Sequence, residues 1–264
     1  MTTDQIAQVQ LRLAYQDLVR RGVRDLPSFA DVEFRCHSQS GEDGILLYIF
    51  SLIGTTNRRV VEIAAGDGVE CNAANLIINH GWRGLLFDGS EELLARGRKF
   101  YSECRTTCIV PPTLVSAWIT TDTVNDLVAP FAGPIDLLSI DVDGNDYWIW
   151  KALDAVHPRV VVTEFNASFG PEVSATMSYV PDYRLDYARQ PYRCGASLAA
   201  FTKLARAKGL RLVGVHSLGF NAFFVPEGVG EDLLPERTPA ELMPSWRPDM
   251  LDRVREGVER WEEV

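Results

Sequence analysis

Short apolar, β-branched runs alternate with helix-like segments along most of this 264-residue chain, and this alternation restricts its fold more than any other feature. The runs are RRVVEIA, GWRGLLFDGS, Ile109 with Val110, PIDLLSID, PRVVVTEF, LRLVGVH and NAFFVPE. Strands that alternate with helices indicate an α/β fold, in which a mostly parallel sheet carries helices on both faces. Only SLGF separates the last two runs. Because so short a connection cannot make a parallel crossover, these two strands are predicted to form an antiparallel hairpin.

The helix-like segments divide the chain into three predicted parts. Residues 1–57 form an N-terminal helical cap, and residues 58–228 form an α/β ligand-binding domain in which 167–194 is a long loop of the kind that binds or covers ligands. Residues 229–264 form a helical tail, with an apolar stripe made of Met250, Val254, Val258 and Trp261. A stripe of this spacing predicts a helix that either docks on the core or forms a homodimer.

Charge and hydropathy exclude several classes of partner. The net charge of −10 repels phosphate backbones and anionic lipid, and no basic patch offsets it. The longest nearly apolar run, ILLYIFSLI, is far shorter than the roughly 18 residues that a membrane helix needs. The amino-terminal residues lack a basic segment followed by an apolar block. We therefore expect a cytoplasmic protein that binds neither nucleic acid nor membrane.

A glycine-containing turn follows the first strand signal, where RRVVEI runs into AAGDGVECN. Such a turn lets the backbone approach a cofactor closely. The dinucleotide fingerprint G-x-G-x-x-G fails here, because Gly66 and Gly68 are followed by Cys71. Asp67 and Glu70 flank the turn and would repel a pyrophosphate. The turn therefore favours a cationic ligand over a dinucleotide.

S-adenosylmethionine is a cationic ligand of this kind, and VVEIAAGDG resembles the first motif of class I S-adenosylmethionine-dependent methyltransferases. Ala64 and Ala65 stand where that family often has a glycine and a small residue. Asp88 matches the family's acidic residue after the second strand, which holds the ribose hydroxyls of the cofactor. The order of strands and helices is also similar to this family, whose seven-stranded sheet ends with one reversed strand.

Four further segments narrow the resemblance. SQSGEDGIL, IDLLSIDVDGNDYWIWKAL, VVVTEFNASFG and CGASLAAF are similar to bacterial FkbM-type and related natural-product or sugar O-methyltransferases. The resemblance covers roughly residues 38–226 and implies methylation of a hydroxyl on a small-molecule acceptor, such as a sugar or secondary metabolite. The predicted cofactor-binding residues are Gln39, Glu62, Ala64, Gly66, Asp67, Asn72, Asp88, Ser90 and Asp141. Glu62 and Asp88 also suit a purely structural role as helix caps or ion-pair partners.

Acidic and amide side chains follow the next two strands. Asp141 and Asp143 come after one strand, and Glu164 and Asn166 end the following one. Because the carboxyl ends of parallel strands meet at one edge of a sheet, we expect these four side chains to lie close together. Their oxygens suit Mg²⁺, and metal-dependent O-methyltransferases hold a divalent ion at a similar place. The alternative is that Asp143 is only a turn residue.

The mechanism stays open between two routes. A bound Mg²⁺ can orient the acceptor and lower its pKa, or a side chain can act as the base, for which Asp141 and His37 are the candidates. Tyr179, Tyr183, Tyr187 and Tyr192 lie in the long loop and could cover the acceptor. Two rival functions remain: a nicotinamide-dependent oxidoreductase, and a non-catalytic protein of methyltransferase fold that only binds a ligand.

Overall fold

A seven-stranded sheet forms the centre of the protein. In the computed structural model, which describes residues 3–186, 188, 194–257 and 261–264, its strand order is β3-β2-β1-β4-β5-β8-β7. These strands are β1 (Arg59–Ile63), β2 (Arg83–Asp88), β3 (Thr113–Ser116), β4 (Gly133–Ile140), β5 (Val156–Glu164), β7 (Leu210–Val215) and β8 (Asn221–Pro226).

Six of these strands run in one direction and one is reversed. β1 pairs in parallel with β2 and β4, and β2 with β3 and β4 with β5 do the same. β8 runs antiparallel to both β5 and β7. The predicted terminal hairpin is thereby confirmed, and so is the α/β fold class with its mostly parallel seven-stranded sheet. This strand order, with its single reversed strand, is that of the Rossmann-like methyltransferase fold.

Helices cover both faces of the sheet, as the alternation predicts. The helices are α1 (Thr3–Arg20), α2 (Phe29–Val32), α3 (Glu42–Ile53), α4 (Ala74–His80), α5 (Glu91–Glu103), α6 (Val124–Val128), α7 (Asp146–Ala152), α8 (Leu198–Ala207), α9 (Pro239–Leu242) and α10 (Pro248–Gly257). Apolar residues of α1, α3, α4 and α5 share a core with one face of the sheet. Those of α6, α7 and α8 share a second core with the other face. Burying both faces explains why the strands are continuous apolar runs rather than alternating ones.

Three expectations about individual elements are wrong. Ile109 and Val110 are not in a strand: Ile109 is 92% exposed, and the third strand begins at Thr113, in register with Leu85. Residues 70–79 have a helix-like pattern that predicts a helix from Glu70, but the helix begins at Ala74, because the preceding residues form a turn. The helix predicted for the tail ends at Gly257, and Trp261 lies in a short strand instead. Val258, also placed on that stripe, lies outside the described residues.

The tail is tied to the long loop after β5 by a small second sheet. Strand β9 (Trp261–Glu263) pairs antiparallel with β6 (Ala175–Met177), and the Trp261 ring packs edge-to-face on Phe169 with ring centroids 4.3 Å apart. Within the described part of the chain, no helix is both long enough and apolar enough to cross a membrane. The division into a cap at 1–57, a domain at 58–228 with an acceptor loop at 167–194, and a tail at 229–264 stays a prediction.

Candidate functional site

A cavity of about 450 Å³ opens at the carboxyl ends of β1, β2 and β4. Ligands of open α/β sheets bind at this edge, where the strand order reverses between β1 and β4. Residues from five segments line the cavity: 63–64, 87–90, 117–119, 142–145 except Gly144, and 183–185. Ala64, Asp88 and Ser90, three of the predicted cofactor residues, are among them.

Carboxylates of the chain bind the backbone amides of the glycine turn. The Gly66 N–H donates to Asp88 Oδ2 over 2.9 Å. The N–H groups of Val69 and Glu70 both donate to Asp67 Oδ1, over 2.8 and 3.2 Å. Asp67 is therefore a turn-forming residue whose side chain folds back on its own loop, whereas Asp88 both fixes the turn and lines the cavity.

Glu62 also binds backbone amides, those of two residues that follow the glycine turn. Its two carboxylate oxygens accept the N–H groups of Asn72 (2.9 Å) and Ala73 (2.7 Å), and the Ser139 hydroxyl donates to it over 3.0 Å. The Asn72 side chain in turn donates to Ser139 over 3.1 Å. Burial raises the pKa of Glu62. Glu62 and Asn72 form a buried support for the turn and do not line the cavity.

These bonds determine which ligands the turn can accept. An anion-binding turn presents unpaired N–H groups to a phosphate. Here the amides of residues 66, 69, 70, 72 and 73 all donate to carboxylates of the same chain. A pyrophosphate would have to displace these carboxylates and would also meet their negative charge.

Backbone strain is concentrated beside the cavity. Ala64 and Asp143 both line it, and both adopt left-handed φ angles, 63° and 57°. The left-handed conformation costs a residue with a side chain about 1–2 kcal/mol, and such strain collects at functional sites. Aspartate tolerates this conformation through local hydrogen bonds, but alanine has none to make.

Helix α5 packs directly on the glycine turn. A Cβ atom at Gly97 would lie 1.9 Å from the carbonyl oxygen of Asp67, so only glycine fits here. The hydroxyl of the buried Tyr101 donates to the carbonyl oxygen of Gly68. Ser90 caps the start of α5, since its Oγ accepts the Leu93 N–H over 3.3 Å. The helix thus holds the turn through Gly97 and Tyr101, neither of which lines the cavity.

Three of the four predicted metal ligands come together. Carboxylate oxygens of Asp141, Asp143 and Glu164 lie within 4.8 Å of one another. The pKa values of Asp141 and Glu164 are both raised, mainly by burial and then by repulsion from neighbouring carboxylates. Three such oxygens suit a hard divalent cation. The cluster therefore fits Mg²⁺ by the chemistry of its donors.

Asn166 is engaged in the loop that follows β5. Its Oδ1 accepts the Ser168 N–H over 3.0 Å, and its Nδ2 donates to the Cys194 carbonyl oxygen over 3.1 Å. These bonds make Asn166 the cap of the turn at Ala167–Phe169. A side-chain oxygen that is already an acceptor there is a weaker candidate for metal ligation than the three carboxylates.

Asp146 is a buried acid beside this cluster, and it was assigned no site role from the sequence. Its two oxygens accept the N–H groups of Val142 (2.8 Å) and Gly144 (2.9 Å), and burial raises its pKa to about 6. It thereby holds the backbone on either side of Asp143. The available signal was its place in the first turn of α7, where acidic residues are common.

His37 and Gln39 lie outside the residues that line the cavity. His37 Nδ1 is 3.3 Å from the carbonyl oxygen of Val69, so this side chain contacts the end of the glycine turn. Gln39 is exposed. The structure brings His37 to the turn but does not bring it to Asp141.

Residues 177–185 form a strap whose last three residues line the cavity. Its bonds to the protein body include Asn145 Nδ2 to Val180 O (2.7 Å), Trp118 Nε1 to Pro181 O (2.6 Å), Trp148 Nε1 to Met177 O (2.8 Å) and Thr121 N to Tyr179 Oη (3.1 Å). The Arg184 guanidinium lies over the Trp118 ring, 4.9 Å from its centroid. Sequence reasoning missed both of these residues. Tyr179 and Tyr183 belong to the strap, whereas Tyr187 and Tyr192 lie outside the described residues.

Comparisons with known proteins give only distant similarities. No protein-family model matches the chain, and no curated protein matches it. Among solved structures, it is similar to an S-adenosylmethionine-dependent methyltransferase from Clostridium acetobutylicum ATCC 824, with 11% identity, 83% of this chain and 98% of that chain covered, and a TM-score of 0.44.

Two further structures give the same level of similarity. The CcbJ methyltransferase from Streptomyces caelestis has 14% identity, with 80% of this chain and 97% of that chain covered and a TM-score of 0.44. Magnesium protoporphyrin IX methyltransferase from Synechocystis PCC 6803, with bound S-adenosylmethionine, has 12% identity, 86% coverage of both chains and a TM-score of 0.42. Similarities this low assign no activity, so the fold assignment depends on the chain's own strand order.

Proposed function

We propose that this protein is an S-adenosylmethionine-dependent O-methyltransferase, of FkbM-like type, that acts on a hydroxyl of a small molecule such as a sugar or secondary metabolite. The observation that carries the proposal is the pairing of the glycine turn's amides with Asp67, Asp88 and Glu62. A turn neutralised in this way disfavours a pyrophosphate and suits a sulfonium cofactor.

The cavity offers chemistry that suits such a cofactor. Asp88 and Asp143 give the cavity negative charge. Among the described residues that line it, Arg184 is the only lysine or arginine. Its volume of about 450 Å³ is in the range of small-molecule sites. Asp88 can accept hydroxyl hydrogens through the lone pairs that its two backbone bonds leave open.

The acidic cluster supplies a base for the reaction. The acceptor oxygen attacks the methyl carbon in line, the carbon–sulfur bond breaks, and the hydroxyl proton must move to a base. Asp141 is the candidate base, because burial and its acidic neighbours raise its pKa and so make its carboxylate a stronger base than that of an ordinary aspartate. The products are the methyl ether, S-adenosylhomocysteine and a protonated carboxyl group.

Asp141, Asp143 and Glu164 are also the residues that would hold Mg²⁺, with Asn166 beside them. A bound Mg²⁺ would orient the acceptor and lower the pKa of its hydroxyl. A chelator separates the two routes: loss of turnover, restored by added Mg²⁺ and mimicked by Asp141→Asn, supports the metal. Turnover unaffected by the chelator removes the metal and leaves a side chain as the base.

Calorimetry with S-adenosylmethionine, S-adenosylhomocysteine and NAD tests the cofactor. We expect both sulfur compounds to bind and NAD not to bind. Binding of NAD alone would overturn the proposal in favour of an oxidoreductase. Turnover is then measured by mass spectrometry with a panel of hydroxylated sugars and aromatic metabolites, and donor binding without any methylated product would indicate a non-catalytic ligand-binding protein.

The cellular setting is part of the same proposal. A cytoplasmic enzyme would meet S-adenosylmethionine and small-molecule acceptors without a nucleic-acid or membrane partner, and the acidic composition favours this. The stripe of the tail packs within the chain, where Val254 lies with Phe169 and Ala175. We also propose a homodimer, without assigning its surface, and light scattering tests it. A monomer across the micromolar range would overturn it.

A further inference from the structure

The backbone of residues 36–38 is folded around one carboxylate. Asp43 Oδ2 accepts the N–H groups of Cys36 (2.7 Å), His37 (2.6 Å) and Ser38 (2.8 Å). The bond is reciprocal, because the Asp43 N–H donates to Ser38 Oγ over 3.2 Å. Asp43 is 1% exposed, so no water replaces these bonds easily.

The neighbouring carboxylate holds the next two amides. Glu42 Oε2 accepts the N–H groups of Ser40 (3.1 Å) and Gly41 (2.9 Å). Its other oxygen accepts the Asn221 side-chain amide over 2.9 Å, and Glu42 is also 1% exposed. Asn221 lies opposite Glu164 in the β5–β8 pairing, so Glu42 also connects this segment to the strand that carries the acidic cluster.

The segment held in this way lies against the glycine turn. His37 Nδ1 is 3.3 Å from the carbonyl oxygen of Val69, and Arg35 forms an ion pair of 2.8 Å with Glu70. Val69 and Glu70 are the residues whose amides Asp67 binds. A shift of the segment would therefore reach the turn through these two contacts.

We infer that Glu42 and Asp43 are positioning residues for cofactor binding. Neither lines the cavity, but together they fix five amides of residues 36–41 and so hold His37 against the end of the glycine turn. This inference rests on the proposed function, since it assigns these residues to the site of S-adenosylmethionine. Their action is indirect, because they fix the backbone of residues 36–41, and this segment in turn contacts the glycine turn.

The chain contains a matched control at the opposite end of the sheet. Asp136, at 0% exposure near the start of β4, accepts the N–H groups of three consecutive residues, Thr56, Asn57 and Arg58. These bonds measure 2.7 Å from Thr56, 2.8 Å from Asn57 and 2.5 Å from Arg58. Its hydrogen-bonding pattern is that of Asp43, but it lies at the amino end of the strands, away from the cavity.

The test compares Asp43→Asn, Glu42→Gln and Asp136→Asn with the unmodified protein. Calorimetry gives the Kd for S-adenosylhomocysteine, and urea titration gives the unfolding free energy of each variant. Because a neutral amide oxygen is a weaker acceptor than a carboxylate, we expect all three variants to lose stability. We expect Asp43→Asn and Glu42→Gln to raise the Kd about tenfold, while Asp136→Asn keeps the original Kd.

Each outcome decides one claim. If Asp43→Asn and Glu42→Gln bind the cofactor product as the unmodified protein does, the positioning role is overturned and the proposed function stands. Equal losses of affinity in Asp43→Asn and Asp136→Asn would also overturn it, because the effect would then be one of general stability. Failure of the unmodified protein to bind would overturn the proposed function itself. Should Asp43→Asn not fold, Glu42→Gln and the milder Ser38→Ala carry the same comparison.

Discussion

The Gly66 N–H donates to Asp88 Oδ2 over 2.9 Å, and this bond joins the turn after the first strand to the end of the second. The same carboxylate uses its other oxygen for the Ser90 N–H, over 2.7 Å, at the start of α5. Asp88 therefore shapes the cavity before any ligand arrives.

Replacing Asp88 by Asn should weaken binding of S-adenosylmethionine at least about tenfold, because a neutral amide holds Gly66 less firmly and is a poorer acceptor for hydroxyl groups. Calorimetry measures the Kd. Asp126→Asn, which removes an exposed charge on α6, is the control and should leave the Kd unchanged. Unchanged affinity in Asp88→Asn would show that this side chain is structural only.

Ala64→Gly should stabilise the protein by about 0.5–1 kcal/mol, because glycine adopts the φ of 63° without the cost that alanine bears. The matched variant Gly66→Ala should have the opposite sign and a loss of about 1 kcal/mol. Its φ is 59°, and no atom lies within 4 Å of the added Cβ, so only backbone strain changes. Urea titration measures both. A loss of stability in Ala64→Gly would contradict the strain assigned to this residue.

Gly97→Ala tests whether α5 supports the glycine turn. Helix propensity alone would predict a gain of about 1 kcal/mol. The clash with the Asp67 carbonyl oxygen should instead cost about 1–3 kcal/mol and displace the turn, which weakens cofactor binding. Ser102→Ala, on the exposed side of the same helix, should change stability by less than about 0.5 kcal/mol and leave binding intact. Thermal unfolding and calorimetry together give both effects.

His80 should make stability depend on pH. Its Nε2 lies 2.6 Å from Gln8 Oε1, and burial, followed by repulsion from Arg12 and Arg58, lowers its pKa to about 4. A histidine whose folded-state pKa is lowered binds its proton more readily when unfolded. Its contribution is therefore present above the unfolded-state pKa of about 6.5, and it falls as the pH drops from there to about 4.

The loss over that window should be at most about 3 kcal/mol. Urea titrations at pH 7.5, 6, 5 and 4 measure it, and His80→Gln provides the comparison because glutamine does not titrate. The difference in unfolding free energy between the two proteins should narrow as the pH falls. A difference that is constant across this range would mean that His80 titrates normally.

The fold could be predicted because its signals are local. A buried parallel strand is a continuous apolar run, and a four-residue connection permits only a hairpin. Ile109 and Val110 misled the prediction because β-branched residues in a loop produce the same signal, and only pairing with β2 identifies the third strand as Thr113–Ser116. Trp261 continues the helical spacing of the tail, but its pairing with Met177 is a long-range contact that spacing does not contain.

Prediction of the site from the sequence was limited in the same way, by long-range contacts. That Asp141, Asp143 and Glu164 converge follows from where parallel strands end, and the structure confirms that they meet. Which acids would face the cavity and which would bind backbone could not be predicted. Glu62 and Asp67 both belong to the recognised motif, yet their oxygens accept amides up to eleven residues away. The strap residues Trp118 and Arg184 meet only in the folded chain.

Because of the reversed strand β8, the sheet can be completed only after nearly all of its strands have been synthesised. It lies between β5 and β7 in the sheet but follows both in the chain, so a nascent polypeptide that has left the ribosome only as far as β7 has two strand edges with no partner. Asn221, the first residue of β8, is the one that pairs with Glu164. The part of the sheet that carries Glu164 is therefore completed late in synthesis. Chains that end before Asn221 would expose unpaired strand edges to chaperones and proteases and would have no partial activity.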